Sequence, residues 1–305
     1  MNRFNYNKIG RGFMVAFTEK SIRSHAMKKK VKARRWIQIV FFVVAALIAV
    51  NHTLAEEGKA IPFVAEASLH AVCPFGGVVS IYSLLTTGTF VKKTHESSLV
   101  LMYIVFAAAL LVGPLFCGWI CPLGTFQEWL SVLGKKIFKK KYNRFIPYKY
   151  DKYLRFLRYI VLGWVIAMTA WSGKIVFSDY DPYYALFQFW TGEVAVTGFI
   201  SLFAVILLSL FVERPFCKYA CPYGAVLGVF NFIRIFGLRR NGKTCISCSA
   251  CDNVCPMNIP VSNKGKIMNH QCISCFECTS TDGVCPVPKT LEFNTTALKG
   301  GKDEN

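Results

Sequence analysis

The chain is poor in acid. Its 305 residues hold 17 aspartates and glutamates against 36 lysines and arginines, a formal net charge of +19. It also lacks any nucleotide-binding, DNA-binding or kinase motif. Such basicity, placed beside apolar stretches and without a recognition motif, argues against a nucleic-acid partner. The basic leader is long for a signal peptide, and no A-x-A site directly adjoins the first apolar stretch, which argues against a cleaved signal peptide. What the chain has in quantity is apolar surface: 53% of residues are hydrophobic and the mean hydropathy is +0.37. High apolar content with strong basicity fits a membrane protein whose charge is segregated into loops on one side of a bilayer.

The charge is indeed unevenly spread. Residues 1–35 carry eleven lysines and arginines and one acid, Glu19, and this run abuts an apolar stretch from Trp36 to Val50. Extended to Ala55, the stretch reaches the roughly 20 residues a span needs. Leu99 to Phe116, about Phe156 to Phe177, and Val194 to Val212 read as three further spans. The loop 117–158 holds ten basic residues and two acids, and 213–305 is basic again. The loop after the third span instead carries Asp179, Asp181 and Glu193 against Lys174, and its aromatics suit an interfacial belt. The lysine and arginine bias predicts a multi-pass protein of the inner (cytoplasmic) membrane with both termini in the cytoplasm. Ser68 to Leu85 is apolar but broken by Pro74, Gly76 and Gly77, as a re-entrant or interfacial segment would be.

Cysteine is plentiful, at 13 residues. Disulfide frameworks belong to oxidising compartments, whereas these cysteines crowd regions predicted to be cytoplasmic, so ligation is the better account. Four of them form a repeat at an offset of 100 residues. PLFCGWICPLGTF (Pro114 to Phe126) and RPFCKYACPYGAV (Arg214 to Val226) align Cys117 with Cys217, Cys121 with Cys221, Pro122 with Pro222 and Gly124 with Gly224. Cysteines at i and i+4 share a helical face, and proline suits the first turn of a following helix. The repeat predicts two related helical hairpins. Its four thiols have three readings: ligands of a further cluster or soft metal, a redox thiol set, or small residues at a tight turn.

The densest run lies last. Cys245 to Pro256 reads C-x2-C-x2-C-x3-C-P, and Cys272 to Pro286 reads C-x2-C-x2-C-x6-C-P. Zinc sites favour pairs of C-x2-C, not triple runs ending in Cys-Pro, so two 4Fe-4S clusters are the expected cofactors. The run resembles that of bacterial two-cluster ferredoxins. The resemblance implies that the cysteine before proline crosses to the other cluster. Cys245, Cys248 and Cys251 would then share a cluster with Cys285, and Cys272, Cys275 and Cys278 with Cys255. The interval Thr279 to Val284 is longer than usual and is expected to form a local loop.

The expected fold is mainly α: a four-helix transmembrane bundle of two repeated hairpins with a C-terminal two-cluster ferredoxin-like domain. The divisions are a basic segment at 1–35, the spans and repeats at 36–240, the ferredoxin-like domain at 241–290 and a polar tail at 291–305. Over about residues 30–290 these motifs resemble the NapH/NosR-type membrane ferredoxins. The resemblance implies an iron–sulfur electron-transfer protein, a component of a quinol dehydrogenase-type oxidoreductase. It would sit in membrane lipid and relay electrons between the quinone pool and a redox protein partner. Two other functions fit the same motifs. One is a CcoG-like copper reductase or assembly factor using Cys117, Cys121, Cys217 and Cys221. The other is a redox-sensing regulator that reports through a separate protein. Glu66, His70 and Cys73, at i, i+4 and i+7, share a helical face and form a candidate outer site for a metal or quinone.

Overall fold

The structure is a computed structural model that describes residues 33–55, 96–172, 176–192, 194–281 and 283–295. The broken segment Ser68 to Leu85, with the candidate set Glu66, His70 and Cys73, lies outside the described residues. The architecture is mainly helical. Helix α1 (Ala33–Ala55) is, among the described residues, the one helix long and apolar enough to cross a membrane by itself. Helix α2 (Glu96–Val112) leads into the short α3 (Leu115–Trp119) and then α4 (Pro122–Phe138). Helices α5 (Tyr148–Leu154) and α6 (Leu157–Ser172) follow, then a 3-10 turn, Val176–Tyr180, and α7 (Pro182–Gln188). The second repeat runs through α8 (Val196–Ser209), α9 (Pro215–Tyr219) and α10 (Pro222–Ile233). Strand β1 (Phe236–Arg240), helix α11 (Ala250–Val254) and strand β2 (Leu291–Thr295) complete the chain.

The helices expected from Leu99 and Val194 stop earlier than the apolar runs do, at Val112 and Ser209. The sequence explains why. Gly113-Pro114 interrupts the first path directly, since a residue before proline is disfavoured in helical backbone, while α8 ends in a turn over Leu210 and Phe211, ahead of Arg214-Pro215. Gly113 and Arg214 both take the left-handed conformation. At Gly113 a side chain would also collide, since a Cβ would lie 2.9 Å from Asn231 Oδ1 and from Ser274 Oγ. Proline then opens α4, α9 and α10 at positions where its missing N–H costs nothing.

The repeat seen in the sequence recurs in the backbone. α9 and α10 begin 100 residues after α3 and α4, the offset of the cysteine motifs, and the bonds of the two turns match. Cys121 N donates to Phe116 O at 3.0 Å, and Cys221 N to Phe216 O at 2.8 Å. Thr125 N donates to Cys121 O at 3.1 Å, and Ala225 N to Cys221 O at 3.2 Å. The packing is reciprocal: α8 of the second repeat lies on α4 of the first, and α2 of the first on α10 of the second. α6 packs against α10, and α7 against α8.

The segment after α6 departs from a simple surface belt. Phe177, Ala185 and Phe187 are buried, and Phe187 packs on Ala45 and Ala49 of α1. Asp181 caps α7 by accepting from Tyr183 N at 2.9 Å. Apolar side chains also point outward from several helices. Ile160 and Trp171 on α6, and Val196, Ile200 and Phe203 on α8, are among the most exposed.

The chain that leaves α10 is built into the C-terminal domain. β1 pairs antiparallel with β2, Phe236 opposite Thr295 and Arg240 opposite Leu291. Arg234 is buried and donates to Ile267 O. The domain core is formed by Leu238, Met257, Ile259, Val261, Ile267, Ile273 and Leu291, with Cys272 and Cys278.

Candidate functional site

The two thiol turns meet. Burial pushes the Cys117 thiol above its ordinary range, and the neighbouring Cys121 and Cys217 push in the same direction. Cys221 is raised by burial and then by Cys217 and Cys117. Burial lifts Cys217 to about 12 against the opposing charge of Arg214. The four cysteines of the repeat, each half-buried, therefore lie near one another. Polar hydrogens are aimed at their sulfurs: Gly224 N lies 3.3 Å from Cys221 Sγ and Gln127 Nε2 3.6 Å from Cys217 Sγ.

The eight cysteines of the C-terminal run fall into two groups. Cys245, Cys248, Cys251 and Cys285 line one recess, with Arg240, Pro286 and Thr290. Cys255 is raised to about 12 by burial, with Cys272 adding to the effect. Cys278 is raised by burial and then by Cys275, Cys255 and Cys272. The two groupings have the membership that crossed ligation requires. The long interval does not spoil it. Val284 N donates to Glu277 O at 2.8 Å and Cys285 N to Thr279 O at 3.2 Å, so the extra residues loop back on themselves. Gly283 is needed there, because a Cβ would lie 2.1 Å from Glu277 O.

The backbone repeats as well. Ser247 and Ser249 flank Cys248 with positive φ, and Ser274 and Phe276 flank Cys275 in the same way. Alternation of left-handed residues in such a loop gathers N–H groups into a concavity suited to an anionic group, iron–sulfur clusters included. The twelve described cysteines are all free. Among the described residues no three Cys, His, Asp or Glu side chains converge closely enough for a single metal ion. A cubane asks less, because its irons stand between the thiolates. Free thiols, paired groupings and inward N–H groups therefore fit a cluster in each C-terminal group. The buried thiols are protonated without metal, so loading must displace protons.

The thiol repeats and the cysteine run are in direct contact. A Cβ on Gly118 would lie 2.3 Å from Ile273 O, so this turn accepts the cysteine loop only as glycine. Trp119 Nε1 donates to Ser274 O at 3.0 Å, Ser274 Oγ to Val112 O at 2.9 Å, and Asn231 Nδ2 to Cys272 O at 2.8 Å. In the second repeat Lys218 takes the place of Gly118. It is buried and paired with Asp151 at 2.9 Å, and Tyr219 OH donates to the same carboxylate at 2.5 Å. The group Cys272–Cys278 thus lies against the repeats, while Cys248 is exposed on the far side of the domain.

Beside the thiol turns is an apolar cavity of about 190 Å³ that opens outward. Phe41, Val44 and Ala45 of α1 form one wall, and Cys121, Cys221 and Tyr223 belong to another. Asp181 is its one carboxylate, raised to about 7 by burial against the hydrogen bond from Tyr183 N.

Comparison with known proteins follows this geometry. A family profile described as a 4Fe-4S binding domain matches residues 94–141 and 194–240. These are the two hairpins, not the eight-cysteine run. A protein of Methanocaldococcus jannaschii without assigned function is 33% identical over 57% of this chain and 72% of its own length. YccM of Escherichia coli is 29% identical over 71% of this chain, and the ferredoxin-type protein NapH of Haemophilus influenzae 29% over 56%. The regulatory protein NosR of Stutzerimonas stutzeri is 25% identical over 56% of this chain. This chain belongs to the NapH/NosR-type family. It is accordingly a ferredoxin-type 4Fe-4S electron-transport protein by family. The chain spans 62% of the length of YccM and 60% of NapH. No solved structure matches.

One feature of this NapH/NosR-type chain was not apparent from the sequence. Glu128 on α4 sits between two buried guanidiniums. Arg34 Nη2 lies 2.5 Å and Arg214 Nη2 2.9 Å from its Oε1, and Gln38 Nε2 donates to its Oε2 at 2.8 Å. Arg34 also pairs with Glu277, and Arg214 donates to Cys117 O. The network therefore joins α1, both repeats and the cysteine run. A charge run that abuts a span reads as ordinary positive-inside sequence, and nothing local in it marks Arg34 as buried. His270 is a second tie. Burial and the charge of Arg158 lower it to about 4, so it is a neutral ring held by Arg158 Nη2 at 2.9 Å and Tyr159 OH at 3.1 Å.

Proposed function

We propose that this chain is a multi-pass protein of the inner membrane that passes electrons from quinol to a soluble redox partner on the cytoplasmic side. The observation that carries the reading is one of adjacency. An apolar cavity large enough for a quinone ring touches Cys121 and Cys221, and the thiol turns in turn touch the loop Cys272–Cys278. The outward-facing apolar side chains of α1, α2, α6 and α8 support four spans, and the basic loops support cytoplasmic termini. Short helices are compatible with spans where the interrupted backbone is covered by protein, as at Gly113 and Arg214.

Cys245, Cys248, Cys251 and Cys285 would hold one 4Fe-4S cluster, and Cys272, Cys275, Cys278 and Cys255 the other. When bound, these clusters supply one-electron storage and transfer, at potentials set by hydrogen bonds to sulfur and by exposure. Cys117, Cys121, Cys217 and Cys221 are proposed as a third redox centre between the cavity and the C-terminal domain. The family profile over their hairpins supports an iron–sulfur assignment there. Oxidising a quinol to a quinone releases two electrons and two protons. Asp181 can take one of those protons, since its raised value brings it near neutrality inside an apolar wall. Gln127 and Arg214 orient and polarise the thiol turn.

Iron analysis with EPR on protein purified without oxygen tests the cofactor assignment. Two cubanes require about eight iron atoms per chain, and a third centre about twelve, whereas fewer than about four would overturn the assignment. Changing Cys117 and Cys217 together to serine should remove only the difference between the two totals.

A further inference from the structure

The two C-terminal cysteine groups stand in unlike surroundings. The loop Cys272–Cys278 is covered by the thiol repeats, through Gly118, Trp119, Asn231 and Val112. The recess of Cys245, Cys248, Cys251 and Cys285 reaches the surface at Cys248. Cys248 is exposed, and so are Ile246, Ser247 and Ser249 around it. A soluble partner has access to the second recess and not to the first.

The rim of that opening is basic. Thr290 Oγ1 donates to Thr244 Oγ1 at 2.9 Å, and Asn241 N to Thr290 O at 2.7 Å, which laces the two chain segments together. Lys243 and Lys289, each one residue before a laced threonine, are thereby brought to one edge, and both are exposed. Arg240 lines the recess itself, with its Nε donating to Lys264 O at 3.1 Å. Asp252, next to Cys251, is committed within the domain. It accepts from Ser262 N at 2.8 Å and from Ser262 Oγ. Ile246, 64% exposed, provides an apolar centre between Cys245 and Cys248. An apolar centre with a charged rim is the anatomy of a transient protein interface.

The geometry points to a docking surface for an acidic soluble electron carrier, centred on Ile246 and Cys248 and steered by Lys243, Lys289 and Arg240. The inference rests on the reading of the recess as a cluster site. Opposite charge across such a rim raises the association rate and fixes orientation more than it adds affinity. A neutral or basic carrier has nothing to meet there.

The test uses the full-length, cluster-loaded protein in detergent, with a small acidic [2Fe-2S] ferredoxin as probe and a basic cytochrome c as control. Binding is read by surface immobilisation of the probe at several salt concentrations. The expected result is binding of the acidic probe alone, weakening at least about tenfold between about 50 mM and about 300 mM salt. Lys243→Glu with Lys289→Glu should weaken low-salt binding by a similar factor, while Lys136→Glu with Lys141→Glu, the same charge change elsewhere, leaves it unchanged. Equal loss in both double variants, salt-independent binding, binding of cytochrome c, or capture by anionic vesicles in place of ferredoxin would each overturn the docking surface. Iron content of every sample separates this failure from failure of the cluster reading: a variant that keeps its iron and its binding counts against the surface alone.

Discussion

Glu128→Gln should destabilise the protein by about 3–5 kcal/mol, because it leaves two buried guanidiniums without their shared carboxylate. Burial by itself would raise the Glu128 carboxyl. Arg214 and then Arg34 more than offset this and hold it below the ordinary carboxylate range. A carboxylate held low stabilises the fold above its unfolded-state value, and that contribution is lost as pH falls through the lower, folded value. The variant should therefore show a lower thermal midpoint at neutral pH and a smaller loss on acidification than the parent. Arg34→Met should cost less, since Arg214 keeps Glu128 paired through both Nε and Nη2. A change below about 1 kcal/mol for Glu128→Gln would mean that the network is solvated and contributes like a surface pair.

The second large effect concerns the cysteines before proline. Cys285→Ser should remove iron from the recess of Cys245, Cys248 and Cys251, and leave the inner group loaded. Cys255→Ser should do the reverse, and its cost should be greater because that group lies against the thiol repeats. Each variant should lose up to about four irons, the content of one cubane, and any magnetic interaction between the two reduced clusters should vanish from the EPR spectrum. If Cys285→Ser instead empties the group of Cys272, Cys275 and Cys278, ligation is local within each motif and the crossed assignment fails.

Much of this was legible in the chain. The match of Cys117 and Cys121 with Cys217 and Cys221 announced two related hairpins, because spacing within a turn is local information. The cysteine groupings were legible through their resemblance to two-cluster ferredoxins, and the loop Thr279 to Val284 proved able to absorb its extra length through Gly283 and Val284. Other features were hidden because they depend on distant partners. Asp181 reads as one acid in an acidic loop, and becomes distinctive only when α7 brings it against α1 and the thiol turns. Gly118 and Lys218 occupy equivalent repeat positions, yet one admits a loop and the other pairs with Asp151. Leu291 to Thr295 reads as the start of a polar tail, but its partner strand lies over fifty residues earlier, too far for a local pattern to show. Helix lengths were overread for a similar reason. Hydropathy continues through Gly113-Pro114 to Phe116 and past Ser209 to Val212, while the helices stop at Val112 and Ser209.

On the proposed reading, quinol enters through the cavity beside Cys121 and Cys221. Ala45 is buried on α1 and lines that cavity, so Ala45→Trp fills it at a distance from every cysteine of the C-terminal run. The direct measurement is EPR of loaded protein mixed anaerobically with menadiol, with dithionite as the control. The account predicts reduced-cluster signals from both reductants in the parent protein, and from dithionite alone in Ala45→Trp. Menadiol reduction of the filled variant as fast and as complete as that of the parent would contradict it.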